Sequence, residues 1–279
     1  MKNVLIVGED SYIGTSFAQY ASDMYNIETI CAKDGKLADA DFSNIDSVLH
    51  CAGIAHVAQK KNMRQLYYDV NCNLAVKVAE KAKAAGVKQF VFLSSMSVYG
   101  SGECVITPET ELKAMDFYGG SKLAAEEKLR QLASSDFGIC ILRPPMVYGF
   151  GCRGNFPRLV ALAKRLPFFP NVQNRRSMIY IDNLCECICR AIDENKNGIH
   201  LPQNVEYVNT TEIVKMIAQL QGKQMRTTRI FNPLILLAKN FISPVDKLFG
   251  DLVYAKAGNE TEYNVVSFED GVRVAVLGK

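Results

Sequence analysis

The stretch "DFYGGSKLAAEEKL", residues 116–129, places a phenol and an ammonium four residues apart, at Tyr118 and Lys122. On a helix those two positions share a face. A free tyrosine loses its proton only near pH about 10, and a neighbouring cation favours the phenolate. The spacing therefore predicts that Tyr118 works as a general acid or base, with the Lys122 ammonium held beside it. A hydroxyl donor on a second element would complete such a site. "FLSSMSVYG" supplies Ser94, Ser95 and Ser97 for that purpose. The same pair could be plain surface chemistry on a helix, so the elements around it must decide.

Those elements alternate along the chain. Residues 4–7 are a solid apolar run closed by Gly8, the pattern of a strand buried on both faces. A helix is expected over 14–24, a strand over 27–31, and a third strand in "SVLHCAG". "NLAVKVAEKAKAAG" reads as an alanine-rich helix stopped by Gly86. "QFVFLSS" is a fourth strand, followed by a helix over 121–132 and the strand "GICILRPP". This order predicts an α/β fold, a Rossmann-type doubly wound parallel sheet over residues 1–150. Beyond Pro145 the texture becomes glycine- and proline-rich. Residues 151–279 are expected to form a smaller C-terminal substrate-binding lid, with a segment around 175–204, including "GIHLPQ", returning to the main sheet. "TTEIVKMIAQLQG" reads as a helix capped by Thr210 or Thr211 and ended by Gly222. "NPLILLAKNFI" is too short to span a bilayer and is expected to be a buried helix.

"VGEDSYIG" sits between the first strand and the first helix, with Gly8, Ser11 and Gly14 in G-x-x-S-x-x-G spacing. Glycines there let the backbone bend and bring N–H groups and the positive helix end against a pyrophosphate. Ser11 stands where a third glycine would be expected, and its hydroxyl could donate to the ligand. Tyr12 and Ile13 complete the turn. The reading is a dinucleotide, NAD or NADP. The carboxylate that would hold a ribose 2′-hydroxyl at the end of the second strand is missing, since Ala32 and Lys33 stand there. Lys33 could instead meet a 2′-phosphate, which favours NADP if the reaction is a reduction. Asp41 is a candidate to border the adenine.

Bulk composition narrows the partners. A net charge of +3 with short basic clusters gives no footprint for nucleic acid. The nine cysteines include no C-x-x-C pair, and with only three histidines no metal site is expected. Scattered free thiols and the absence of a charged-then-apolar leader predict a cytoplasmic protein.

Taken in order, "VGEDSYIG", "CAGIAH", "FVFLSSMSVYG", "YGGSK", "LRPPMVYG" and "RRSMIYIDNL" resemble the extended short-chain dehydrogenases/reductases, specifically the nucleotide-sugar epimerase/dehydratase group. The resemblance covers residues 4 to about 184. It implies that Ser95 hydrogen-bonds the reacting sugar oxygen, that Tyr118 is the acid/base, and that Lys122 holds the nicotinamide ribose. It also implies cofactor contacts at Ala52 and Gly53. Asn155 and Arg176 would bind the nucleotide part of a UDP-sugar, a planar guanidinium suiting a diphosphate. Tyr99 and Tyr148 read as packing or pocket walls. A dehydratase would need carboxylates where Met96 and Ser97 stand. Two outcomes remain, a 4-epimerase that keeps its NAD and a 4-ketoreductase that consumes NADPH. Either would serve surface polysaccharide synthesis, as a possible homodimer without membrane insertion. A different class is a non-catalytic NADP-binding redox sensor or scaffold of the same fold. Such members typically lack the tyrosine or the lysine, and both are present here.

Overall fold

Backbone groups in the apolar runs have no water to bond with, so these runs must pair with one another. In the computed structural model, which describes residues 1–31, 36–55, 61–100, 105–238, 241 and 243–278, they do so in one parallel sheet. Its strands are β1 (Asn3–Val7), β2 (Asn26–Ile30), β3 (Ser47–His50), β4 (Gln89–Leu93), β5 (Gly138–Leu142) and β6 (Gly198–His200). Their spatial order is β6-β5-β4-β3-β1-β2, every neighbouring pair parallel. The chain steps from β1 out to β2 and then crosses back to β3. The order therefore reverses between β1 and β3, the place where open α/β sheets bind ligands at their carboxyl ends.

The segments joining these strands carry helices α1 (Tyr12–Tyr20), α2 (Leu74–Ala84), α3 (Phe117–Leu132) and α4 (Ile181–Asp193). Two begin earlier than their apolar spacing predicts, because side-chain caps set their starts. The Ser11 hydroxyl accepts the Gly14 N–H at 3.4 Å, and α1 ends at Tyr20 rather than near residue 24. The Asp116 carboxylate accepts the Gly119 N–H at 2.8 Å, so α3 starts at Phe117 and takes Tyr118 into its first turn. One face of α2, with Ala75, Val78, Ala79 and Ala82, packs into a core with Val7, Val48, Phe90, Phe92 and Leu129. On α4, Cys185 and Cys189 are buried and behave as small hydrophobes, their thiols pushed up by burial.

The contacts divide the chain into two compact units. The first comprises residues 1–100, 112–144 and 181–202 and contains the sheet. The second comprises 101–111, 145–180 and 203–279. Within the second, three short parallel pairs (Met146–Tyr148 with Met178–Tyr180, Phe168–Pro170 with Arg226–Thr228, Val105–Ile106 with Val253–Tyr254) accompany helices Asn155–Arg165, Thr210–Leu220 and Phe268–Leu277. Asn209, not Thr210 or Thr211, caps the second of these, accepting N–H groups from Thr211 and Glu212 at 2.9 and 3.2 Å. The expectation of a buried helix in "NPLILLAKNFI" is overturned over residues 232–238, while 239, 240 and 242 lie outside the described residues. Helix Asn232–Ala238 buries none of its residues. Apolarity over so short a run does not say whether a partner exists to cover it.

His50, at the carboxyl end of β3, is fully buried between Phe90 and Phe92, with ring centroids 5.8 and 5.9 Å away. Neither ring nitrogen has a hydrogen-bond partner. Burial, helped by the Lys122 charge, pushes its pKa down to about 3. The unfolded chain binds this proton first, so stability is lost as pH falls from the unfolded value toward the folded one. Acidification from about pH 7 to about pH 4 should cost roughly 3 kcal/mol through this ring. Denaturant unfolding at both pH values should show His50→Phe losing correspondingly less than wild type. Equal losses would assign the acid sensitivity elsewhere.

Candidate active site

At the end of β1 the Val7 carbonyl accepts two N–H groups, from Cys51 at 2.9 Å and Ala52 at 2.8 Å. This draws the loop after β3 hard against Gly8. Gly8 has φ +114°, and a Cβ built there would lie 2.6 Å from the Ala52 nitrogen. A Cβ on Gly14 would lie 2.8 Å from the Gly8 carbonyl oxygen. Both glycines are thus required by close approach of backbone to backbone, and the turn leaves the amino end of α1 at the sheet's carboxyl edge. Tyr12 and Ile13 form the first positions of α1. The Ser11 hydroxyl oxygen accepts the Gly14 N–H as the helix cap, which leaves its O–H able to donate. Asp41 is exposed, and its carboxylate accepts the Ser43 N–H and hydroxyl, both at 2.9 Å. Those bonds hold its pKa below the usual carboxylate range. Lys33 lies outside the described residues.

Ser95, Tyr118 and Lys122 converge at the same edge. Ser95 follows β4 and caps the turn Met96–Tyr99, its oxygen accepting the Ser97 N–H at 3.1 Å. Its hydroxyl donates to the Ser97 hydroxyl at 3.2 Å, and Ser95 lies close enough to the Tyr118 phenol to favour its ionised form. Lys122 is buried. Its ammonium donates to the Leu93 carbonyl at 2.7 Å and lies 4.5 Å over the Phe92 ring. A Cβ on Gly53 would be 3.4 Å from that nitrogen, so Lys122 reaches the loop that carries Ala52 and Gly53.

The electrostatics correct one expectation. Tyr118 is not primed as phenolate by Lys122. Burial pushes the phenol up; the nearby Ser95 hydroxyl pulls it back, while the Asp116 charge and Tyr67 push it further. Lys122 spends its contact on Leu93 instead. Burial lowers its own pKa to about 8, opposed by Cys51 and Glu126. Position i+4 gave the shared helix face, but burial decided where the ammonium points.

Two positioning groups carry no spacing signal and were missed. Asn71 is fully buried in the π-helical turn Asp69–Asn73. Its oxygen accepts the Ile54 N–H at 2.8 Å, and its amide donates to Ile54 O at 3.1 Å and to the Ser121 hydroxyl at 3.0 Å. Ser121 in turn donates to the Tyr118 carbonyl at 2.9 Å. Asn71 therefore ties the Gly53 loop to the first turn of α3. The second group is the pair Glu126 and Arg143, both buried, joined at 2.5 Å. Arg143 also donates to the Tyr99 phenol at 2.6 Å, and the Ser94 hydroxyl donates to Glu126. This network anchors the Ser94–Tyr99 segment on α3 and gives Tyr99 a packing role.

Asn155 and Arg176 belong to the second unit. Asn155 is exposed at the start of its helix, its oxygen accepting from Arg158 at 3.4 Å. Arg176 is half-buried and donates to the Gly250 carbonyl at 3.2 Å. Burial lowers its pKa, opposed by Asp246 and Asp251. Tyr148 is buried and accepts from Asn204 at 3.0 Å, a packing role.

The model of the NAD dependent epimerase/dehydratase family matches residues 4–205. A UDP-glucose 4-epimerase of Vibrio cholerae is 34% identical over 246 residues, covering 78% of this chain and 75% of that one. An N-acetyl-alpha-D-glucosaminyl-diphospho-ditrans,octacis-undecaprenol 4-epimerase of Escherichia coli O157:H7 is 25% identical over 270 residues, covering 89% and 81%. Among solved structures, a UDP-glucuronic acid 4-epimerase from Bacillus cereus in complex with NAD gives a TM-score of 0.74 at 20% identity, covering 97% and 96%. A dTDP-4-dehydrorhamnose reductase from Bacillus anthracis in complex with NADP gives 0.73 at 19%, covering both chains in full at 100%. At these identities the two structures show a common fold.

Gly8→Ala should lower the unfolding free energy by more than about 1 kcal/mol, because φ is positive and the space is taken. It should also weaken NADH and NADPH binding in a fluorescence titration; unchanged binding would remove the turn from the site. For Lys122, the folded pKa lies below the unfolded one, so the burial cost is fully present below about pH 8 and relieved above it. Between about pH 8 and about pH 10.5, wild type should gain on the order of 3 kcal/mol relative to Lys122→Met. Unfolding of the cofactor-free proteins across that range would show parallel curves if the ammonium were solvated instead.

Proposed function

The chain belongs to the NAD dependent epimerase/dehydratase family, and from that premise we propose redox chemistry at C4 of a UDP-sugar, with Tyr118 as the acid/base. The cofactor is NAD or NADP. The glycine turn fits such a group, since the close backbone crossing at Gly8 and Gly14 leaves the amino end of α1 at the carboxyl edge of the sheet. When bound, the nicotinamide supplies the hydride acceptor and donor. The protein's own part is to hold and move protons. The observation that carries the reading is that Ser95, the buried Lys122 ammonium on the Leu93 carbonyl, and Tyr118 in the first turn of α3 meet at the carboxyl edge of β4. Ser95 would hold the sugar oxygen, and Tyr118 would take or return the hydroxyl proton. Burial keeps the phenol protonated in the free protein, so Tyr118 rests as the acid. Lys122 uses one N–H on Leu93 and retains others for the nicotinamide ribose. Asn155 and Arg176 are proposed to bind the nucleotide end of the substrate.

Two relatives with broad coverage are named for 4-epimerisation, which favours an epimerase that retains NAD. The absence of a carboxylate at Ala32 and Lys33 favours the second reading, a ketoreductase using NADPH. The Escherichia coli relative is named for a sugar on a diphospho-undecaprenol carrier, and surface polysaccharide assembly in the cytoplasm is the proposed setting. Mass spectrometry of the purified protein, followed by incubation with UDP-glucose and UDP-N-acetylglucosamine, tests these readings. Bound NAD with formation of the C4 epimer supports the epimerase. Turnover of a UDP-4-keto-sugar only with added NADPH supports the ketoreductase. Dinucleotide binding without turnover of any nucleotide sugar supports a sensor or scaffold instead. Tyr118→Phe should lower kcat by about 100- to 10,000-fold while leaving dinucleotide binding intact; near-normal kcat would remove Tyr118 from the chemistry.

A further inference from the structure

Within the second unit, residues 230–238 and Phe241 hold a ridge of large apolar side chains open to solvent. Ile230 and Phe241 are each 81% exposed, Leu234 67%, Leu237 62% and Leu236 49%. Phe231 and Phe168 extend the ridge, their rings stacked at 5.9 Å and both exposed. Helix Asn232–Ala238 contains no ionisable residue. Soluble chains rarely leave such side chains contiguous and uncovered unless something else covers them.

The charges around the ridge indicate what that is. No acidic residue lies between Glu212 and Asp246 in the sequence, and of the cations there Lys215 pairs with Glu212 and Lys223 donates to the Leu166 carbonyl, which leaves Arg226 and Arg229 as the basic border. Arg226 and Arg229, immediately before the ridge, are exposed. Strand Arg226–Thr228 pairs with Phe168–Pro170, so the basic edge and the aromatic pair are built into one small sheet. An apolar ridge with a basic border suits an anionic lipid surface, which takes the side chains among its acyl chains and the cations at its headgroups. Two copies meeting at this face around a two-fold axis would bring like charges together. No helix among the described residues is long and apolar enough to cross a membrane, so contact would be confined to the interface.

We propose that residues 230–238 and Phe241, with Phe168, Arg226 and Arg229, dock this protein peripherally on an anionic phospholipid bilayer. The surface is independent of which sugar the protein acts on.

Flotation of the full chain with vesicles tests it. The protein should float with vesicles of equal phosphatidylglycerol and phosphatidylcholine, less so as salt is raised, and poorly with phosphatidylcholine alone. The double variant Leu234→Glu/Leu237→Glu should lose at least about tenfold of its partition, and Arg226→Glu/Arg229→Glu should lose its preference for the anionic vesicles. Val265→Glu, at an exposed apolar position outside the ridge, should bind as wild type. NADH titration and size-exclusion elution would confirm that the variants are folded. Absence of flotation with anionic vesicles would overturn the proposal, as would undiminished flotation of the Leu234→Glu/Leu237→Glu variant. A wild-type dimer that those two substitutions split, with no vesicle binding, would assign the face to a second copy and overturn it too.

Discussion

The arrangement of the first unit depends on one crowded backbone crossing. Val7, the last residue of β1, shares its carbonyl between the N–H groups of Cys51 and Ala52. The next residue must then pass within 2.6 Å, at Cβ, of the Ala52 nitrogen, and it turns away with φ +114°. Only glycine meets both demands without strain. This crossing sets the distance between the first strand and the loop after β3. It thereby fixes where Ala52, Gly53 and the ammonium of Lys122 lie relative to the amino end of α1.

Helix α3 supplies the other half of the geometry. Tyr118, Ser121, Lys122 and Glu126 recur at helical spacing on one face, and each is committed to a different partner. Ser121 meets Asn71, Lys122 meets Leu93, and Glu126 meets Arg143 and Ser94. Burying two charged residues on one helix is costly unless each finds its partners. Here the partners are the loops and strand ends around Ser95 and Tyr118, so the energy that satisfies the charges also orients those side chains. Removing either member of the Glu126–Arg143 pair would leave a buried charge uncompensated beneath the Ser94–Tyr99 turn.

The strands were legible because solid apolar runs such as Val4–Val7 have few ways to be buried other than as central parallel strands. The order of glycine turn, serine-bearing strand end and Tyr–Lys helix was legible for the same reason, since topology delivers all three to one edge. What escaped depended on side chains reaching backbone. Ser11, Asp116 and Asn209 set helix starts that apolar spacing alone misplaces. Asn71 lies in a π-helical turn, where the 3.6-residue period does not hold, so its inward aim is not written in the spacing. The direction of the Tyr118 shift depended on burial and on Leu93 drawing Lys122 away, neither visible in a one-dimensional pattern. Helix Asn232–Ala238 looked like core because it is apolar, and only its surroundings show that it faces solvent.

The central claim is that a carbon–hydrogen bond at sugar C4 is broken by hydride transfer beside Tyr118, rather than by loss of a proton. The direct measurement uses a UDP-sugar substrate carrying deuterium on C4, turned over by the purified chain and followed by mass spectrometry and NMR. The expected result is deuterium found on the nicotinamide during turnover and returned to C4 of the product epimer, with none in water. Deuterium washed out into solvent, or product formed with the C4 bond untouched, would contradict the account.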